Sequence, residues 1–158
     1  MKTVHWKELE SWQQNLLKKA EAVMKNAYNT ISHYYVGAAV LTKKGNIYQG
    51  TFAENASLGL TICAEPAAIL AANTAGERTF KAIAVIGAHE KFASKEPVTP
   101  CGRCRQFISE FAQLSGKDIL VISSNTKKDK IYLAMISELL PLAFGPNDLG
   151  LDLKRLRK

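Results

Sequence analysis

The sequence predicts an α/β fold of three layers, in which a mixed five-stranded sheet is covered by helices on both faces. Segments with helical spacing of apolar residues alternate along the chain with β-rich or continuously apolar runs. The 158 residues, 47% of them hydrophobic, suffice for one substantial core, and no internal repeat or low-complexity linker marks a further unit. We therefore expect one domain over residues 1–158, with an N-terminal helix within 1–30 and a basic tail at 150–158.

The first third of the chain predicts a helix followed by a β-hairpin. From residue 6 to about residue 29, apolar side chains recur at near-helical spacing with charges between them, which is typical of an amphipathic helix. Two β-rich runs then flank the turn "KKGN". We therefore expect an antiparallel hairpin from about Tyr35 to Glu54.

The rest of the chain alternates between helices and strands. The alanine-rich stretch "CAEPAAILAANTAG" has proline just inside its start and glycine at its end, which predicts a helix. The runs "FKAIAVIGA" and "DILVIS" read as buried strands, and the helical stretch "CGRCRQFISEFAQL" lies between them. After a short polar turn, "KIYLAMI" returns as a further strand.

The composition gives expectations about partners and location. Much of the formal charge of +7 lies in the tail "LKRLRK" and in the turn "NTKKDK". A solvated tail and a charged turn explain this charge more simply than a nucleic-acid surface, so we do not expect nucleic acid as the natural partner. No apolar run has transmembrane length, and the N-terminus lacks the apolar core of a signal peptide. We therefore expect no membrane partner and a cytoplasmic protein.

All three cysteines lie in two segments: Cys63 in "TICAEPAAIL", and Cys101 and Cys104 in "PCGRCRQF". An odd count, with two cysteines as C-x-x-C, favours a metal or redox site over a disulfide framework. Because helices that follow parallel strands begin at the same edge of a sheet, the two segments can meet there. Catalytic zinc takes three protein ligands and keeps one position open. No histidine lies near either motif, so the cysteines predict one Zn²⁺ per chain with an open position.

Glu65 lies two residues after Cys63, in the first turn of the same predicted helix. Zinc lowers the pKa of a bound water toward ~7, so a neighbouring carboxylate can take its proton and pass it on. The combination of C-x-E with P-C-x-x-C therefore predicts hydrolytic chemistry with Glu65 as acid and base. The simpler alternative is a redox or structural C-x-x-C, with Glu65 an acid that the helix dipole favours at an N-terminus.

From about residue 32 to residue 149, the chain resembles the small cytidine deaminases, zinc enzymes that act on free nucleosides. The resemblance is carried by "SHYYVGAAV", "ENASLGLTICAE", "PCGRCRQ" and "LLPLAFGPNDL". It implies a cytidine deaminase-like fold, hydrolytic deamination of cytidine or deoxycytidine at C4 with release of ammonia, and a role in pyrimidine salvage. The three-cysteine ligand set suggests the homotetrameric branch, in which Phe144 would be a candidate to reach a neighbouring active site.

The resemblance also implies roles for single residues. The three cysteines would hold zinc, and Glu65 would protonate the ring N3 and then the departing amino group. Tyr34 falls where the family has a phenylalanine that packs against the base, and Glu54 falls on a glutamate that binds the ribose hydroxyls. Ala64 would offer backbone contacts to the pyrimidine. Arg105 matches an arginine that donates to the ligand thiolates.

Three residues depart from the family pattern, which usually has asparagine at Phe52 and often has tyrosine at Leu58 and arginine at Pro66. Phe52 cannot hydrogen-bond a sugar hydroxyl, so the wall of the pocket next to the sugar becomes apolar if Phe52 faces the pocket. Leu58 would have the same effect. In the alternative, a shifted strand buries Phe52 in the core. Pro66 suits a first helical turn but removes a positive charge, which leaves Arg105, Arg103 and the helix ends to balance the thiolates.

Two other functions are weighed against deamination of cytidine. The apolar replacements suggest a modified aminopyrimidine nucleoside, or an antibiotic of the blasticidin type, as the substrate of an altered sugar site. The other alternative belongs to a different class, an RNA-binding editor or a noncatalytic zinc module that uses the basic surface. An editor would need a groove with stacking aromatics and clustered arginines.

Overall fold

The computed structural model describes residues 1–92 and 94–157, and this part of the chain forms one six-stranded sheet and four α-helices. The strands are β1 (Lys2–Val4), β2 (Tyr34–Thr42), β3 (Ile47–Thr51), β4 (Phe80–His89), β5 (Leu120–Ser124) and β6 (Ile131–Met135). The helices are α1 (Ser11–Met24), α2 (Ala64–Thr74), α3 (Gly102–Ser115) and the short α4 (Ile136–Leu139).

The sheet is mixed, with the strand order β1-β6-β5-β4-β2-β3. Of these five pairings, β4 with β5 is parallel, and α3 provides the crossover that such a pair requires. The other four pairings are antiparallel. Helix α1 packs on one face of the sheet and α2 and α3 pack on the other, each face over its own apolar cluster. The predicted three-layer α/β architecture is confirmed.

The predicted number of five strands is wrong, because the sheet has a sixth strand at its edge. Strand β1 pairs with β6, with Lys2 opposite Leu133 and Val4 opposite Ile131. Three residues are too few for an alternating pattern to be recognised, and they lie directly before the helix that was predicted from residue 6. The partner strand also lies about 130 residues away, so no local pattern indicates the pairing.

The first helix is shorter than the predicted span of 6 to about 29. A 3-10 turn covers Trp6–Glu8, and α1 begins only after Glu10, whose backbone N–H donates to Gln13 Oε1 at 2.9 Å. At the other end, Tyr28 donates to the Phe52 carbonyl at 3.0 Å, so it has to leave the helix. No helix in the described part of the chain is long and apolar enough to cross a membrane.

The predicted hairpin is formed by β2 and β3, and its far end positions two residues of interest. Strand β3 ends at Thr51, and Ala53 then makes isolated bridges to Tyr28 and Ile62. The segment is therefore extended, and side chains alternate along it. Phe52 and Glu54 consequently project to the same side.

Helix α2 lies directly on β3 at Gly50. A Cβ atom at this position would lie 2.1 Å from the backbone nitrogen of Ala68 and 2.5 Å from the carbonyl oxygen of Ala64. Both atoms belong to the first two turns of α2. The absence of a side chain at Gly50 therefore lets the start of α2 pack this closely against β3.

Candidate active site

The two cysteine segments meet at the starts of α2 and α3. Cys63 is the residue before the first turn of α2, Cys101 holds the same position at α3, and both have extended backbone angles. Cys104 is the third residue of α3 and is buried. The three Sγ atoms all lie within 4.8 Å of one another. The sequence predicted this convergence from the position of helices at one edge of the sheet.

The cysteine cluster fits a zinc ion. Sulfurs bound at ~2.3 Å to one tetrahedral zinc lie about 3.8 Å apart, and Cys101 Sγ lies 3.6 Å from Cys104 Sγ. Among the described residues, the cluster offers these three ligand atoms. Three thiolates with room for one further ligand are the donor set of an open, catalytic type of zinc site.

The environment of the thiols favours at least one thiolate. A hydrogen bond from the Cys104 thiol, aided by the charge of Arg103, lowers the pKa of Cys63 to about 7, against the opposing effects of burial and of Glu65. The same hydrogen bond, followed by burial, raises the pKa of Cys104. The positive end of a helix lies beside each segment and also stabilises negative charge. The site thus carries an ionisable sulfur near neutral pH, which a metal ligand requires.

Glu65 is the second residue of α2 and is only 3% exposed. Burial raises the pKa of its carboxyl group, although hydrogen bonds from its own backbone and from Cys104 oppose this effect. Glu65 lines the same pocket as the three cysteines. A buried carboxyl beside the cluster can hold a proton more readily than an exposed glutamate and can pass it to a bound molecule.

A cavity of about 130 Å³ lies over the cysteine cluster. It is lined by residues from four segments: Val36, Phe52, Cys63, Ala64, Glu65, Val98, Thr99, Cys101 and Cys104. Phe52 therefore faces the pocket, and the alternative in which a shifted strand buries it in the core is wrong. Three lining residues, Val36, Val98 and Thr99, were not predicted. The position of Val98 and Thr99 just before "PCGRC" was the pattern that could have indicated them.

Tyr34 and Glu54 lie outside the nine residues that line this cavity. Tyr34 Oη lies 2.9 Å from Ser94 Oγ in a hydrogen bond. The Glu54 carboxylate accepts the backbone N–H groups of Ile31 at 2.7 Å and Ser32 at 3.0 Å. Burial alone would raise the pKa of Glu54, but the hydrogen bonds from Ser32 and Ile31 outweigh it and hold the pKa below its ordinary value.

Two arginines of α3 have different partners. Arg105 donates from Nε to the Pro100 carbonyl at 2.8 Å and from Nη1 to the Leu139 carbonyl at 3.2 Å. These two donors thus reach carbonyl groups and not the thiolates. Arg103 donates from Nη1 to the Thr61 carbonyl at 3.3 Å, and its charge helps to lower the pKa of Cys63.

The remaining residues that the sequence singled out lie further from the cluster. Leu58, in a 3-10 turn, is exposed and is not part of the cavity lining, so the apolar wall suggested for it is not observed. Pro66 is the buried third residue of α2, which agrees with its expected place in the first helical turn. Phe144 is exposed near the C-terminus.

Comparison with known proteins identifies the same family as the cysteine motifs. The family model for the cytidine and deoxycytidylate deaminase zinc-binding region matches residues 10–116. The cytidine deaminase of Halalkalibacterium halodurans is 42% identical over 137 residues, which cover 87% of this chain and 97% of that protein. The cytidine deaminase of Sporosarcina psychrophila is 39% identical, with coverage of 87% and 94%.

Solved structures agree with these relatives. The crystal structure of cytidine deaminase from Burkholderia pseudomallei has a TM-score of 0.74 at 37% identity and covers 82% of this chain and 97% of that one. Cytidine deaminase from Mycobacterium tuberculosis has a TM-score of 0.68 at 31% identity, with coverage of 87% and 99%. The extent of these matches shows that the chain belongs to the cytidine and deoxycytidylate deaminase family, which confirms the resemblance read from its cysteine motifs.

Proposed function

We propose that the protein is a zinc-dependent hydrolase that converts cytidine or deoxycytidine to the corresponding uridine with release of ammonia. The observation that carries this proposal is the buried carboxyl of Glu65, which shares one small pocket with three sulfurs that lie within 4.8 Å of one another. The family and the names of the relatives support the same reaction.

Each part of the site has a task in this reaction. Cys63, Cys101 and Cys104 would hold the zinc ion, which when bound acts as a Lewis acid and makes water a nucleophile at neutral pH. Glu65 would take a proton from the water that adds at C4 of the ring and deliver it to N3. It would then move the proton of the new C4 hydroxyl to the amino group, so that the C4 carbonyl forms and the amino group leaves as ammonia. One water is consumed and one ammonia is formed, so the protons balance on Glu65.

The other residues of the site would orient the substrate. Val36, Phe52 and the backbone at Ala64 would enclose the ring, because they line the cavity next to Glu65. Tyr34 remains the candidate to pack against the base, and Glu54 to bind the ribose hydroxyls. Arg105 would act as a positioning residue, because it ties the segment before Cys101 to the end of α4.

The reaction is tested by following the ultraviolet absorbance of cytidine with purified, zinc-loaded protein. Loss of the general acid–base group in Glu65→Gln should lower kcat by about 10²- to 10⁴-fold, while the zinc content stays at one per chain because Glu65 is not a ligand. Glu110→Gln, on the exposed side of α3, is the matched control and should keep full activity. Full activity of Glu65→Gln, or no activity of the zinc-loaded wild type, would contradict the proposal.

We also infer a homotetramer located in the cytoplasm, where the enzyme would serve pyrimidine salvage. Several large apolar side chains, among them Leu142, Phe144 and Leu149, are exposed on the single chain, which favours burial against further copies. Free thiols at the site favour a reducing compartment. Light scattering during gel filtration should give a tetramer for the wild type and smaller species for Phe144→Glu. A wild-type monomer would contradict the inference.

A further inference from the structure

The pocket over the cysteine cluster is small and mostly apolar away from its reactive end. Its volume of about 130 Å³ lies below the range of about 300–1,000 Å³ that encloses a drug-sized ligand. It can therefore enclose one six-membered ring whose reacting carbon lies at the cysteine cluster and Glu65. A sugar attached to that ring has to lie at the mouth of the pocket, outside the enclosed volume.

Phe52 borders the mouth of this pocket, because its side chain lines the cavity and is also partly exposed to solvent. It lines the cavity together with Val36 and Val98, and it is half-buried. Its ring offers neither a donor nor an acceptor for a hydroxyl group. A sugar hydroxyl held against Phe52 would lose water without gaining a hydrogen bond.

Glu54 lies on the same side of the extended segment, two residues further along, and its carboxylate is already engaged. The N–H of Ile31 donates to Oε2 at 2.7 Å, and the N–H of Ser32 lies 3.0 Å from Oε1 and 3.2 Å from Oε2. A carboxylate has about four acceptor sites. Two N–H donors thus already engage both oxygens of Glu54, so two sugar hydroxyls would have to share the acceptor sites that remain.

We propose that Phe52 makes this enzyme select its substrate by the base and not by the 2′- and 3′-hydroxyls of the sugar, so that sugars without these two hydroxyls are accepted. This inference rests on the proposed deaminase function and specifies its substrate class: cytosine nucleosides with a deoxygenated sugar. A hydroxyl left without a partner weakens binding by about 5- to 150-fold. In a nucleoside that lacks this hydroxyl, the unpaired group is avoided, which offsets a hydrogen bond that is lost at Glu54.

The test compares kcat/KM for cytidine and for 2′,3′-dideoxycytidine, with the wild type and two variants. For the wild type, we expect cytidine to be favoured by less than tenfold. Phe52→Asn places an amide that can donate and accept at the same wall, and it should shift the ratio at least fivefold toward cytidine. Phe52→Leu keeps the wall apolar and should keep the wild-type ratio.

The outcomes separate this inference from the proposed function. If zinc-loaded wild type deaminates neither nucleoside, the proposed function fails. If both nucleosides are deaminated but wild type favours cytidine tenfold or more, the role of Phe52 is overturned and the function stands. A ratio in Phe52→Asn equal to that of the wild type also overturns it. Should the asparagine variant fail to fold, the wild-type ratio still decides.

Discussion

Arg105 donates a hydrogen bond of 2.8 Å from Nε to the carbonyl oxygen of Pro100, the residue directly before Cys101. The same guanidinium reaches the carbonyl oxygen of Leu139, the last residue of α4, at 3.2 Å. The Arg105 side chain therefore links α3 both to the segment before Cys101, a predicted zinc ligand, and to the end of α4.

Replacement of this arginine should loosen the zinc site without removing a ligand. Lysine carries one ammonium group and cannot reproduce two directed donors, so Arg105→Lys should weaken zinc affinity by about 10- to 100-fold. Transfer of zinc to a chromogenic chelator measures this effect. Arg155→Lys, at a side chain that is 89% exposed, is the matched control and should behave as wild type. Equal zinc retention in both variants would show that the contact at Pro100 is dispensable.

A methyl group at Gly50 should displace α2 from the sheet. In Gly50→Ala the new Cβ meets backbone atoms of Ala68 and Ala64, which cannot rotate away as a side chain could. We expect a loss of roughly 1–3 kcal/mol of stability, together with lower activity, because Cys63 and Glu65 move with the helix. Thermal unfolding and zinc content measure the two effects.

Gly59→Ala is the matched control for this substitution. Apart from its own residue and its two chain neighbours, a Cβ at Gly59 has no heavy atom within 4 Å, and the backbone there is not in the left-handed region. The variant should therefore unfold at the wild-type temperature. If both alanine variants behave alike, the close approach at Gly50 does not set the position of α2.

The sequence indicates the reactive end of the site better than the substrate end, for a physical reason. Cys63 and Glu65 lie in one helical turn, and the two cysteines of the C-x-x-C pair lie in a single turn of another helix. The short spacings within these turns therefore predict most of the geometry of the reactive end. Val36 reaches the pocket only because β2 lies next to β4 in the sheet, which is a long-range pairing. The contact between Arg105 and Leu139 likewise depends on where α4 comes to rest.

The same limit applies at the edge of the fold. Strand β1 exists because β6 offers it a free edge, and its three residues show no period of their own. The end of α1 is set by hydrogen bonds between Tyr28 and the segment after β3. Composition and periodicity therefore predicted the layers and most elements, whereas tertiary partners decided the strand count and the helix ends.

Glu77 lies at the end of the sheet opposite the candidate site, and it should make the stability of the protein depend on pH. It is buried just after α2, and its Oε1 accepts Asn46 Nδ2 at 2.6 Å and the Tyr48 hydroxyl at 3.0 Å. Hydrogen bonds from Thr42 and Asn46 hold the pKa of Glu77 below its ordinary value, although burial opposes them. The ionised carboxylate is therefore the form that the folded state prefers.

The direction of the effect follows from this lowered pKa. Glu77 stabilises the fold above its unfolded pKa of about 4.3, and that contribution is lost as the pH falls through the lower folded value. Glu77→Gln should therefore melt a few degrees below wild type at pH 7, and the difference should shrink toward pH 3. Glu110→Gln, at an exposed position, serves as the control. A difference that is constant from pH 7 to pH 3 would contradict the assignment to the carboxylate.

Asn125 should position the loop that carries Val98 and Thr99 to the pocket. Its side chain is 1% exposed, and Nδ2 donates to the Lys95 carbonyl at 3.0 Å and to Asp129 Oδ1 at 2.7 Å. The adjacent carbonyl of Ser124 accepts the Val98 N–H at 3.2 Å, so the loop is tied to the end of β5 at two points.

Removal of the hydrogen bond between Asn125 and the Lys95 carbonyl should loosen one wall of the pocket while the cysteines and Glu65 stay in place. Asn125→Ala leaves a carbonyl and a carboxylate without their donor, which should cost roughly 1–3 kcal/mol of stability and raise KM several-fold more than it lowers kcat. Lys95→Ala removes only an exposed side chain and keeps the carbonyl that Asn125 contacts, so it should leave both kinetic constants unchanged. Because the three cysteines and Glu65 are untouched in Asn125→Ala, a fall confined to kcat would mean that the loop acts on the reactive end and not on substrate binding.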